Sequence, residues 1–446
     1  MPSLRRPTGG LWSHADFLKL WTGQTISEFG SSVSALAIPW LAGAGLHASP
    51  LEFSLLTVLG FLPFILFALP AGVWVDRLRR RPILIVGDSA RALLLGYIPV
   101  AWALGILTIG QLLVLQFVIG IFTVFFDVAY QSYLPSLVTR EQLVEGNSKL
   151  QSTAASAGVV GPGIAGVLIG ALTAPYAIVV DAASFVLSTA FMIPIRAQEE
   201  VPEHAEDAPR PKMLPELKEG LAWVVRHRHL KWIAACTGSS NFFGMISMSI
   251  GLLYMQRVLD MSAFWAGVVF AGYGIGSIVG AVTTTKLQRA FGVGPMIWMP
   301  AVLFGVGGFA FPLAPHGNVA VPVLLASTLV VGFGGMAYNI TQVSYRQAIT
   351  PQRLQGRMNA SMRWIVWGTM PIGSILGGAL ATATSMHLAL WVGAIGGGFT
   401  FLPVLLSSVR SIAEMPEPEP MPEPTADAGL VTPTTSAATA AADAPA

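Results

Sequence analysis

Charge is what this chain is short of. Only 11% of its 446 residues are Asp, Glu, Lys or Arg, against roughly 25% in soluble domains, and that scarcity excludes an ordinary water-soluble fold. Cysteine is nearly absent: Cys236 stands alone, so no internal disulfide can form. Ten-residue segments of alternating polarity are missing, which excludes a membrane β-barrel. HExxH, GxSxG and GxxxxGK are also missing, so neither an enzyme nor a metal or cofactor site is expected. A net charge of +2 is too small to imply nucleic acid as a partner. Met1 to Lys19 is polar and basic with no small-residue cleavage site, which predicts no cleaved leader.

What is present is apolar. The chain is 53% hydrophobic with a mean hydropathy of +0.65. Between Arg289 and Arg346 it runs 56 residues without a charge, and between Arg363 and Arg410 another 46. One helix needs about 20 apolar residues to cross a bilayer, so each run holds two crossings joined by a neutral turn. Apolar runs read against turn signals predict twelve spans, near 18–43, 51–75, 82–104, 109–132, 147–171, 174–195, 231–256, 262–285, 294–314, 319–344, 359–382 and 387–409. Alternate turns are neutral and the others collect Arg and Lys. Among the neutral-side turns only the one after span seven, with Arg257 and Asp260, is charged. The positive-inside rule then puts both termini in the cytoplasm of a multi-pass plasma (inner) membrane protein.

The spans fall six and six. Residues 1–195 and 231–410 form the two halves, joined by a linker, 196–230, that is acidic and proline-dotted at first and ends in an amphipathic helix. Residues 411–446, rich in Pro, Glu, Ala and Thr, predict a disordered cytoplasmic tail. At an offset of 212 residues Gly120 falls on Gly332, Tyr133 on Tyr345, Gly161 on Gly373, Gly166 on Gly378, and Asp127 on Asn339. That register predicts an all-α membrane protein of twelve transmembrane helices in two pseudo-symmetric halves, an architecture whose substrate site lies between the halves.

Three groups of residues carry candidate chemistry. In the turn after span two, Gly72-Val-Trp-Val-Asp76-Arg77-Leu-Arg79-Arg80-Arg81, a carboxylate precedes four arginines. A membrane anchor needs no such acid. Asp76 is placed to pair with Arg80, Arg81 or a neighbouring helix end and so to latch the cytoplasmic side, with Gly72, Arg77, Arg80 and Arg81 as its partners in a gate. In span five, Gly158, Gly161, Pro162 and Gly166 permit close helix approach and a bend. The GxGxxG embedded there sits inside an apolar helix, so no phosphate site is expected. The Gly272, Gly276, Gly280 series in span eight predicts packing alone. Finally, Glu28, Asp127 and Asp181 lie within spans one, four and six. A charge at mid-bilayer costs about 2.5–3.5 kcal/mol on insertion scales, which makes each a proton-coupling candidate. For Asp181, hydrogen-bonded packing is the competing reading. Asp88 and Arg91, spaced i and i+3, are expected to pair with each other or with the Asp76 turn. The second half offers amides instead of acids, and Gln24, Asn241, Phe242, Asn339, Gln342 and Trp367 are candidates to line a substrate cavity.

The Gly72 to Arg81 turn resembles the G-x-x-x-D-R-x-G-R-R signature of the major facilitator superfamily, with Arg79 at the family's glycine. Ala157 to Gly166 resembles the span-five antiporter motif of its exporters, G-x-x-x-G-P-x-x-G-G, with Ala157 and Ala165 at two glycines. Gly23 to Ser27, Ala37 to Trp40, Asp88 to Leu93, Leu134 to Val138, Asp181 to Phe185 and Glu219 to Leu221 resemble the branch of macrolide efflux proteins and the enterobactin exporter. The resemblance implies a monomeric secondary transporter that exports a small amphipathic drug, antibiotic or siderophore-like compound in exchange for protons. A proton-coupled importer and a non-transporting membrane sensor or assembly partner are the alternatives.

Overall fold

A computed structural model describes residues 11–75, 77–139, 142–196 and 213–415. Asp76, most of the acidic linker and nearly all of the expected tail lie outside the described residues. The described chain is helical, and its first half comprises α1 (Ala15–Trp40), α2 (Pro50–Val75), α3 (Arg80–Ala103), α4 (Ile109–Leu137), α5 (Leu143–Leu172) and α6 (Ala174–Met192). Then come α7 (Met213–Arg226), α8 (Leu230–Arg257), α9 (Ala263–Phe291), α10 (Pro295–Gly307), α11 (Ala310–Leu313), α12 (Ala320–Ala348), α13 (Gln352–Ala383), α14 (Met386–Gly398) and α15 (Leu402–Leu405). Ten stretches among the described residues are helical, long and apolar enough to cross a membrane. Two of the ten are broken helices, α10 with α11 and α14 with α15, where the sequence suggests continuous spans. Each break falls at glycines, Gly307-Gly308 and Gly396 to Gly398, whose backbone entropy weakens a helix interior. α1 and α8 are also long enough, at 26 and 28 residues, but their Ser, Thr and charged positions lower their hydropathy.

The bundle has two unlike ends. One gathers the neutral turns after α1, α3, α5, α8, α11 and α13. The other gathers the basic turns. At the neutral end a single hydrophobic core joins both halves of the chain, taking Val33, Ile98 and Ile178 from the first and Leu253, Ala266 and Leu390 from the second. At the basic end there are two separate cores. Phe17, Leu84, Phe126, Tyr133 and Met192 form one from the first half alone. Ile233, Ile297, Tyr345 and Met358 form the other from the second half alone.

The joins at the neutral end are helix crossings set by glycine. α5 crosses α9, where a Cβ on Gly166 would stand 2.7 Å from the Ala263 carbonyl oxygen and one on Gly267 2.3 Å from that of Pro162. α13 crosses α2 in the same way, with a Cβ on Gly378 standing 2.9 Å from the Pro50 carbonyl oxygen. No larger residue fits without moving backbone. Ser374 Oγ donates to the Ser54 carbonyl at 3.1 Å, the Leu51 amide to Thr382 Oγ1 at 3.1 Å, and Ser54 and Ser249 hydroxyls pair at 3.3 Å. α1 ends in a π-helical turn, Leu41–Gly45, two residues after Pro39, a proline that removes a backbone donor and loosens the helix. There Gln256 Nε2 donates to the Trp40 carbonyl at 3.2 Å and Arg257 Nη2 to that of Gly43 at 2.8 Å. Arg257, the odd charge on the neutral side, is thus an acceptor-seeking clasp between α8 and α1.

Within the second half, Gly272, Gly276 and Gly280 face the α12 backbone at Leu325, Leu329 and Phe333, the packing role their spacing predicts. α7 docks on α13. Gly220 lies against the Arg357 carbonyl, and Glu219 pairs with Arg353 at 3.3 Å and with Arg357.

Candidate functional site

Glu28 sits midway along α1, one turn from Gln24, whose Nε2 donates to Glu28 Oε1 at 2.8 Å. α1 reaches this position because α5 is carved for it. Ser32 Oγ donates to the backbone carbonyls of Glu28 at 3.0 Å and of Ala157 at 3.3 Å, and a Cβ on Gly161 would stand 2.3 Å from Ser32 Cβ. The glycine-proline stretch of α5 therefore holds the acid-bearing turn of α1 on one side and α9 on the other. Gly158 differs, since nothing lies within 4 Å of where its Cβ would stand.

Asp127, on α4, lies within electrostatic reach of Glu28 and of Arg91. Tyr130, one turn on, is reached by both acids, and its buried Oη has no partner. These groups make an acidic and phenolic face on the first half. Asp181 is placed differently. It is buried in the seam between α1 and α6, accepting from Ser184 Oγ at 3.2 Å, with its Oδ1 2.7 Å from where a Cβ on Gly30 would be.

The second-half candidates divide. Asn241 Nδ2 donates to the Val366 carbonyl at 3.0 Å, so its amide joins α8 to α13. Phe242 packs edge-on against Phe243 with ring centroids 5.0 Å apart, while its carbonyl abuts Gly373. Gln342 Nε2 donates to Asn339 Oδ1 at 3.2 Å and leaves its buried Oε1 unpartnered. Asn339 is exposed, as is Trp367, which lies under the Arg363 guanidinium at 5.4 Å. Asn339, exposed, and Gln342, with its free Oε1, thus keep polar capacity.

Of the residues the sequence suggests for a gate, Gly72 has open space where a Cβ would be, and Arg77 lies in the turn after α2, its amide donating to the Trp74 carbonyl. Arg80 opens α3. Arg81 donates to the carbonyls of Met192, at 3.3 Å, and Ile193, where a cation complements the α6 C-terminal dipole. Asp76 lies outside the described residues.

Reasoning from sequence missed Tyr130 and the surroundings of Arg91. The Asp88–Arg91 pair forms as its spacing predicts, but nothing in the sequence announced that Phe126 and Phe185 enclose the guanidinium from two other helices.

A bundle of long apolar helices with buried acids in one half and unspent amides in the other has the construction of a membrane transporter. The comparisons make this specific. Residues 11–434 match the family described as transmembrane secretion effectors, and the chain belongs to that family within the major facilitator superfamily. It is similar to the multidrug efflux pump Tap of Mycolicibacterium fortuitum, 26% identical over 398 residues that cover 84% of this chain and 93% of that one. It is also similar to macrolide efflux protein A of Streptococcus pyogenes, 23% identical over 82% of this chain and 89% of that one. In fold it resembles an inward-facing bacterial homologue of the iron transporter ferroportin, with a TM-score of 0.67 at 15% identity, covering 88% of this chain and 98% of that one. A bacterial homologue of the lysosomal transporter Spinster, inward-facing and occupied, gives 0.66 at 14%, covering 90% and 97%. The chain is a transporter and not an enzyme.

Proposed function

We propose that this protein exports a small amphipathic compound, of the drug or antibiotic class, across the plasma membrane in exchange for protons by alternating access. The observation that carries the reading is that Asp127 lies within electrostatic reach of Glu28 in a bundle whose halves are fused at the neutral end and separate at the basic end. A substrate and a proton then meet the same face in turn. α1 and α8 complete twelve spans, residues 1–195 and 231–410 act as the two rocking halves, and both termini are cytoplasmic. The equivalent crossings of α5 on α9 and of α13 on α2 favour the duplication. The protein works as a monomer. Asp76, with Arg77, Arg80 and Arg81, closes the cytoplasmic side when the halves rock. The efflux activity of the two named relatives favours export over import.

The test is accumulation of a labelled macrolide in inverted vesicles, with and without a pH gradient. Glu28→Gln is expected to abolish gradient-driven accumulation while sparing downhill exchange. Accumulation by Glu28→Gln equal to that of the unsubstituted protein would remove Glu28 from coupling, and the same result for Glu28→Gln with Asp127→Asn would defeat the two-acid reading. No macrolide movement in either condition would overturn the substrate class. For topology, with Cys236→Ser, a cysteine at Asn318 should label from outside intact cells and one at Leu78 should not. The reverse pattern would overturn the orientation.

A further inference from the structure

Arg91 occupies a box built by three helices. On α3 its Nη2 is ion-paired with Asp88, a carboxylate with no solvent exposure, and its Nε donates to the Gly87 carbonyl at 3.4 Å. Its guanidinium carbon lies 4.2 Å from the ring centroid of Phe126 on α4 and 4.2 Å from that of Phe185 on α6. Arg91 is itself only 6% exposed. A planar cation can be sandwiched between two rings and still present its edge to a carboxylate, whereas a compact ammonium has no flat face to fill the space between both rings.

The two rings are not arbitrary neighbours. Phe126 directly precedes Asp127, and Phe185 directly follows Ser184, the donor to Asp181. Phe126 also stacks on Tyr130, with centroids 5.9 Å apart and planes 15° from parallel. Clamping both rings therefore fixes the helical turns that carry Asp127, Tyr130 and Asp181. Charge balance reinforces the geometry. The groups facing this region are Glu28 from α1, Asp88 from α3, Asp127 and Tyr130 from α4, and Asp181 from α6, and the Arg91 charge reaches Asp88, Asp127 and Asp181. A low-dielectric interior makes a single shared cation a strong constraint on how those carboxylates can be occupied.

We propose that Arg91, held between Phe126 and Phe185 and paired with Asp88, is the positioning residue of the proton-coupling site, setting the placement of Asp127 relative to Glu28. This rests on the proton-coupled reading. If it holds, Arg91 touches neither proton nor substrate, yet its replacement uncouples the two.

The experiment uses the full chain in proteoliposomes with a labelled macrolide, measuring accumulation driven by a pH gradient and, separately, exchange at equal pH. R91K keeps the charge and loses the double stack. It is expected to lower gradient-driven accumulation at least tenfold and to leave the rate and KM of exchange within threefold. F126L, which removes one ring and leaves the ion pair, is expected to give a partial loss of accumulation with exchange intact. It keeps the question open to test if R91K fails to reach the membrane. Equal losses of accumulation and exchange in these variants would mean a purely structural role and overturn the proposal, as would accumulation at the level of the unsubstituted protein. An unsubstituted carrier that exchanges macrolide but ignores the pH gradient would instead overturn the proton-coupled reading, and the proposal with it.

Discussion

The neutral and basic ends of this bundle differ in how the two halves pack. At the neutral end, side chains of both halves share one core. At the basic end each half keeps its own. The difference lies in what stands at the helix crossings. Gly166, Gly267 and Gly378 bring backbones of the two halves together, and five hydrogen bonds reach across beside them, three where α2 meets α8 and α13 and two where α8 meets the end of α1. Interhelical hydrogen bonds in membranes average about 0.6 kcal/mol, so the five contribute about 3 kcal/mol. Reversing a two-state equilibrium from 99:1 to 1:99 takes about 5.5 kcal/mol. The neutral-end bonds are thus firm enough to favour this closure and weak enough for a bound substrate or proton to undo it.

Locking the neutral end should have the largest effect. With Cys236→Ser, cysteines at Ser54 and Ser249, whose hydroxyl oxygens lie 3.3 Å apart, should form a disulfide that stops transport completely and is reversed by reductant. Full transport by the oxidised pair would mean that this end does not open. Next comes the crossing of α5 on α9. Gly267→Leu puts a side chain where a Cβ alone would be 2.3 Å from the Pro162 carbonyl oxygen, and overpacking of this kind costs about 1–3 kcal/mol. Transport should fall roughly tenfold or more, at about 1.4 kcal/mol per tenfold. Gly72→Ala, at the basic end with open space around it, should change transport little. Equal effects at the two glycines would erase the distinction between the ends.

Arg257→Ala should act more mildly. It removes one charged donor from the Gly43 carbonyl, about 1 kcal/mol at an exposed site. Labelling of a cysteine at Asn339 by an impermeant reagent from the neutral side should rise about fivefold, at about 1.4 kcal/mol per tenfold. An unchanged labelling rate would show that the clasp does not gate. The smallest effect belongs to Glu219→Gln, which breaks exposed pairs to Arg353 and Arg357 worth about 0–1 kcal/mol. Transport should stay within twofold, because Gly220 and Val224 still pack α7 in place. A larger loss would give α7 a part in coupling the halves.

Much of this was legible in the sequence, because a bilayer reduces structure to lengths and charges. Charge-free runs give the helices, neutral and basic turns distinguish the ends, and an acid inside an apolar helix is costly enough to be noticed. The Asp88–Arg91 spacing put that pair among the two expected partnerships, beside one with the Asp76 turn, since i and i+3 lie on one helix face. Phe126 and Phe185 were invisible as partners of Arg91, because no local rule says which faces of three helices will meet. Asn241 and Phe242 suited a cavity in composition, yet Asn241 bonds the Val366 carbonyl and Phe242 lies against Gly373 and Phe243. Helix rotation decided their contacts, and sequence does not specify rotation where apolar residues surround the helix on every side.

By itself, then, the sequence determined the membrane class, the basic and neutral ends and the acids of the first half, because each follows from the cost of placing charge in hydrocarbon. Only the tertiary structure decided that the halves are fused at one end and separate at the other. That choice depends on which glycine meets which backbone carbonyl across a crossing, a matter of ångström-scale approach between segments up to 331 residues apart.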